Sequence, residues 1–179
     1  MNARALKTIA AFVLSAAAGH VLVAEAAPRL IMKKAYERLS RNGERVNQWS
    51  HVPQVTPASR RVVRPAPDLA YSVCAFDLTK GPVRITAANW DGYLSVSFYG
   101  ANTDNFAVVN NIDHVENRDI NILLTSQESA PAPAGATVIR SPSRRGVVLQ
   151  RRFAPTSEHF ARADMARQAD RCERDSTIQ

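Results

Sequence analysis

Residues 64–111, RPAPDLAYSVCAFDLTKGPVRITAANWDGYLSVSFYGANTDNFAVVNN, decide the fold. They read as short strands separated by turns, and they hold most of the aromatic residues of the chain. Ala70–Leu78 is nearly apolar on both faces, which suits a central strand covered on both sides. Thr79-Lys80-Gly81-Pro82 is a turn. Val83, Ile85 and Ala87 alternate with Arg84 and Thr86, the pattern of a half-buried strand. Asp91-Gly92 signals a hairpin. Leu94, Val96 and Phe98 then alternate with Ser95, Ser97 and Tyr99. Gly100–Asn105 is a polar turn, and Phe106–Asn110 is a further short strand.

Downstream, Ile120, Ile122 and Leu124 mark another strand. Residues 126–135, SQESAPAPAG, form a surface loop by composition. Val138–Arg140 is a short strand, and Ser141–Gly146 is a basic turn. Val147–Phe153, VVLQRRF, is a strong strand, which Arg151 and Arg152 place at a sheet edge. Short strands with turns between them, and no βαβ alternation, predict a mainly β fold: a small antiparallel β-sandwich. A helix closes the chain, capped by Thr156 or Ser157. Ala161, Met165, Ala169 and Cys172 share one stripe of it, so it is expected to pack on the sheet with Cys172 facing inward.

Upstream, Arg4 and Lys7 precede an apolar run, Thr8–Ala24, that only His20 interrupts. A positive segment before an apolar helix is an export signal. The charges keep the N-terminus cytoplasmic and send the rest outward. The run of about 17 residues is just long enough to span a membrane. Ala24-Glu25-Ala26 has the form of a cleavage site, so anchor and cleaved signal both stand at this point. His20 has no visible partner and reads as a neutral imidazole near the outer interface. Leu30–Leu39 continues as an amphipathic basic helix, stopped by Asn42-Gly43. Its Arg29, Lys33, Lys34 and Arg38 are candidate contacts for anionic headgroups. Val46–Pro67 reads as a Pro-rich linker. The expected organisation is residues 1–27 as transmembrane anchor or uncleaved signal, 28–67 as basic helix and linker, and 68–179 as β domain with C-terminal helix.

The net charge of +7 suits anionic partners such as phospholipid or lipopolysaccharide. Nucleic acid is not expected, since no nucleic-acid motif is present and the arginines are not interleaved with aromatics. Cys74 and Cys172 lack metal-ligand spacing. They form either one disulfide or two buried thiols, and an exported domain favours the disulfide. His114 and His159 are isolated, so no metal and no cofactor are expected. No GxSxG, Walker or GxGxxG sequence occurs, and no catalytic residue stands out. Asp68, Tyr71, Asp77, Tyr99 and Asn105 form a candidate cleft at one end of the sheet. Asp77 reads as a ligand of turn amides rather than an acid or base.

Pro67, Asp68 and Tyr71 form a Pro-Asp-x-x-Tyr segment. Asp77, Leu78, Thr79, Gly81 and Pro82 follow it as an Asp-Leu-Ser/Thr-x-Gly-Pro turn. Together with SVSFYGANTDNFAVVNN, ending its hairpin at Asn105-Phe106, they resemble the domain-of-unknown-function 1254 family. Trp90-Asp91-Gly92 and residues 111–118 do not share the pattern. The layout is similar to the short bacterial inner-membrane form, with a membrane helix carrying a His, then a Pro, then one β domain. The resemblance implies an uncleaved single-pass anchor and a periplasmic β domain. It also implies a domain-of-unknown-function 1214 partner, and no established catalytic residue. The leading expectation is a non-enzymatic binding or accessory module of the bacterial envelope. The alternatives are an enzyme or enzyme subunit acting on an envelope glycan or lipid through Tyr71, Asp77 and Asp91, and a secreted protein released near Ala26.

Overall fold

The computed structural model describes residues 2–56, 59, 65–112, 119–127 and 133–176. Pro57, Asp113, His114 and the centre of the 126–135 loop lie outside them. One helix, α1 (Ala3–Leu39), runs from the apolar segment through Pro28 into the basic stretch without a break. It is about 55 Å long at 1.5 Å per residue. Phe12, Leu14, Leu22 and the other large apolar side chains of its first half are exposed. Met32 is its buried residue. The helix stops as expected, where Arg41, Asn42 and Gly43 adopt positive φ of 49°, 56° and 102°.

Among the described residues, the strands form two packed sheets. The first has the spatial order β1 (Trp49–His51), β2 (Leu69–Asp77), β8 (Arg145–Phe153), β4 (Leu94–Tyr99), β5 (Asn105–Asn110), and every pair in it is antiparallel. The second has the order β7 (Thr137–Arg140), β6 (Ile120–Thr125), β3 (Val83–Ala87), β9 (Arg171–Arg174). Helix α2 (Ser157–Ala166) comes between β8 and β9, with Thr156 accepting the cap bond from the His159 amide. The expected mainly β sandwich with a C-terminal helix is therefore present, and β6–β7 adds a parallel pair to it. Phe76, Val83, Ile85, Leu94, Val96, Phe98, Ile122 and Val148 fill the space between the sheets, all fully buried. Each such side chain contributes about 1.5–3 kcal/mol by leaving water.

Four local readings need correction. First, the stretch expected to be linker contains β1. Asn47 explains its position: its side chain donates to the Asp77 carbonyl at 3.0 Å and accepts from the Asp77 amide at 2.8 Å. Second, Asp91-Gly92 makes no hairpin. β3 pairs with β6 and β9, whereas β4 pairs with β5 and β8, so this segment crosses between sheets. Asn111 holds the crossing, donating to the carbonyls of Trp90 (3.0 Å) and Gly92 (2.8 Å).

Third, β8 is the middle strand of its sheet rather than an edge. Arg152 is 1% exposed and reaches across the core to Asp170. It donates to the two carboxylate oxygens at 2.7 and 3.0 Å, and to the Ala88 carbonyl at 2.9 Å. Gln150 and the Ala88 amide also donate to Asp170, each at 2.8 Å. A buried charge is tolerated only with such pairing. Fourth, Cys172 does not lie on a helix. After α2 and a 3-10 turn, Arg167–Ala169, Asp170 is extended and the chain joins β3 as β9. Met165, expected inside, is 70% exposed, and Ala163 is the buried residue of α2. The Asp170 bonds and the free edge of β3 outweigh the local helical preference.

Cys74 and Cys172 are bonded, with a Cα–Cα distance of 6.6 Å. The bridge therefore joins β2 of one sheet to β9 of the other, and not a helix to a sheet.

Candidate functional site

A concave surface lies where α1 meets the first sheet. Ser40 is buried as α1 ends there, and the following turn leads into Val46, which bridges to Ala75 of β2. α1 thus lies across the Asp77–Arg145 end of β2 and β8, and a cleft of about 770 Å³ remains between them. That volume falls within the usual range for small-molecule sites. Met32 and Tyr36 from α1 line it, with Gly146 from β8 opposite. Gly146 lets the chains approach closely, because a Cβ there would sit 2.2 Å from the Tyr99 carbonyl and 2.6 Å from the Phe76 ring. Arg29, Lys33 and Arg145 bring positive charge to the same cleft, and Glu37 and Asp77 bring carboxylates.

Asp77 is fully engaged. One oxygen accepts from the Thr79 amide (2.9 Å) and hydroxyl (2.6 Å), and the other accepts from Arg145 Nε at 2.8 Å. Partial burial alone would raise its pKa. The bonds from Thr79 and Arg145 outweigh that effect and hold it below the usual carboxylate range. The turn-binding reading of Asp77 thus matches its contacts. Tyr36 behaves in the opposite way. Burial, and then the Asp77 charge, push its pKa up against the opposing pull of Arg145. The phenol stays protonated, and its oxygen is buried without a hydrogen-bond partner among the described residues. The Arg145 guanidinium carbon lies 6.0 Å from the Tyr36 ring centre.

The five residues expected to share a cleft do not converge. Asp68 just precedes β2 and Tyr71 lies near its start, about 30 and about 20 Å respectively from Asp77 at its end, at the usual strand rise. Tyr99 pairs with Val147, near the Asp77 end, and Asn105 pairs with Tyr99. Tyr71 accepts from the Ala66 amide at 3.0 Å. Asp91, a further candidate for chemistry, is paired with Arg162 of α2. Of the four basic headgroup candidates, Arg29 and Lys33 line the cleft, while Lys34 and Arg38 do not. Lys34 pairs with Glu37 at 2.9 Å, and Arg29 pairs with Glu25 at 2.8 Å. No group of three or more metal-ligating side chains occurs among the described residues.

Sequence reasoning missed one contact of a catalytic type. His51 of β1 lies 2.9 Å from the hydroxyl of Ser72 on β2. Ser72 is 1% exposed, so the pair fastens an edge strand instead of meeting a substrate. The spacing in sequence gave no clue, since the two residues meet only through the β1–β2 register. Burial, with Arg167 and Arg152 nearby, lowers the His51 pKa against the opposing pull of Asp170 and Asp164. Unfolded, the ring titrates near pH 6.5, so below about that pH the unfolded state binds more protons. The stability His51 confers is fully present above about pH 6.5 and is lost as the pH falls toward the folded value. His51→Gln is expected to flatten the stability curve between about pH 7 and pH 5, read from urea midpoints. An unchanged slope would remove His51 from that account.

The family described as protein of unknown function (DUF1254) matches residues 46–174. No curated protein matches the chain. Among solved structures, the VPA0106 protein from Vibrio parahaemolyticus superposes with a TM-score of 0.65 at 13% identity, covering 83% of this chain and 36% of that one. An uncharacterized protein from Burkholderia cenocepacia gives a TM-score of 0.50 at 12% identity, covering 68% of this chain and 35% of that one. These likenesses concern the fold, and the chain spans about a third of the length of each relative. With the match extending from the residue that bridges to β2 through the last strand, the chain belongs to the DUF1254 family.

Proposed function

We propose that this chain is a membrane-tethered module that holds a periplasmic β domain close to the bacterial inner membrane, where it binds without catalysis. The observation that carries this reading is α1. It is long and apolar enough to cross a membrane, and none of its apolar window is buried against the domain. Water would not tolerate such a stripe, whereas lipid would. Arg4 and Lys7 before the apolar run favour a cytoplasmic N-terminus. The Cys74–Cys172 bridge suits an oxidising compartment. Its partners are anionic lipid or lipopolysaccharide, and a companion protein of the domain-of-unknown-function 1214 type.

The test is fractionation of cells that make the full chain. The protein is expected to resist carbonate extraction, to be cleaved by protease added to spheroplasts, and to crosslink to a companion in membranes. Recovery in the soluble fraction, with a mass beginning after Ala26, would replace the tether with a released form. Resistance to protease in intact spheroplasts would reverse the assigned side.

A further inference from the structure

We infer that the cleft between α1 and the first sheet is a binding site for the phosphate headgroup of an anionic phospholipid, taken from the leaflet that α1 leaves. The inference rests on the tethered reading and adds a ligand class and a location to it. Position is the first argument. Arg29 lies about 7 Å along the helix from Ala24, where the apolar run ends, and Ser40 lies about 24 Å along it. The cleft therefore opens at the depth of the headgroups and extends away from the hydrocarbon.

Charge is the second argument. Arg29, which holds Glu25 through one terminal nitrogen, and Lys33 enter the cleft from α1, and Arg145 enters from β8. Arg145 holds Asp77 through Nε, which leaves its terminal nitrogens for an anion. The two carboxylates of the cleft are already occupied: Asp77 by Thr79 and Arg145, and Glu37 by Lys34. The third argument is the Tyr36 hydroxyl, a protonated donor buried in the cleft with no acceptor among the described residues. A phosphate oxygen would satisfy it, and leaving it unpaired is costly. Met32 and the Tyr36 ring supply an apolar wall for the glycerol and the first acyl carbons.

The experiment uses the full chain in mild detergent, with retained lipid read by native mass spectrometry. Phosphatidylglycerol is expected to be retained in preference to phosphatidylcholine, at about one per chain. The double variant Arg29→Glu/Lys33→Glu is expected to weaken retention by tenfold or more, and Tyr36→Phe by about tenfold. Arg38→Glu/Arg45→Glu, of equal charge change but outside the cleft and holding neither of its carboxylates, is expected to leave it unchanged. Equal weakening by both double variants would overturn the site and leave the tether standing. Equal retention of the two lipids would also overturn it. Displacement by inorganic phosphate at the lipid concentration would assign the site to a free anion instead. Failure of the tether itself is read separately, from fractionation, whatever the lipid result.

Discussion

Replacing Asp170 by alanine is expected to destabilise the domain by about 3–5 kcal/mol, because it leaves the Arg152 guanidinium charged, buried and without its partner. The carboxylate accepts from Arg152, Gln150 and the Ala88 amide, so one substitution strips acceptors from three donors. Those donors belong to β8 and to the segment after β3, hence to both sheets. The loss is expected to appear as a lower urea midpoint of the full chain in detergent. Asp170→Asn keeps the shape and one acceptor oxygen, and is expected to lose less. The double variant Arg152→Met/Asp170→Asn is expected to be more stable than the sum of the single effects, since it removes the orphaned charge as well. Strict additivity would mean that the ion pair is not the source of the loss.

The second large effect concerns the bridge between β2 and β9. Its cysteines are 98 residues apart. In the chain-entropy account, closing a loop of about 100 residues is worth up to ~4.7 kcal/mol, and removal of native disulfides costs about 2–5 kcal/mol. Cys74→Ser/Cys172→Ser is expected to lower the unfolding midpoint by an amount in this range. Reductant is expected to do the same to the native chain and nothing to the variant. The intact mass of the native chain is expected to rise by two hydrogens on reduction. A mass unchanged by reductant would remove the bridge, and with it one support for a periplasmic domain.

Much of the sandwich was legible because its strands follow period two. Val83, Ile85 and Ala87 announce β3, and Leu94, Val96 and Phe98 announce β4. Pairing was not legible, because it depends on which edges meet. Asp91-Gly92 has hairpin chemistry, yet Asn111 and the separate partners of β3 and β4 turn it into a crossing. Arg152 looked like an edge residue because the charge that neutralises it comes from Asp170, far along the chain. Cys172 looked helical because Ala161, Met165 and Ala169 continue the spacing, whereas hydrogen bonding to β3 decides the matter. The expected cleft failed for a related reason: Asp68, Tyr71 and Asp77 are near in sequence but spread along one extended strand. Only Asp77, with Arg29 and Lys33, reaches the concave surface that α1 creates.

The short segment Asp170–Arg174 supplies the acceptor for the buried arginine, the second half of the disulfide and the edge strand of the second sheet. All three lie beyond β8 and α2 in the chain and are supplied only once residues 170–174 are made. Until then Cys74 lacks its native partner, Arg152 has no counter-charge, and β3 has an open edge. A chain lacking residues 170–174 is therefore expected to leave its two sheets without these ties. Closing the bridge passes two electrons and two protons to an oxidant of the compartment, and it ties β2 of one sheet to β9 of the other only after both sheets have their strands.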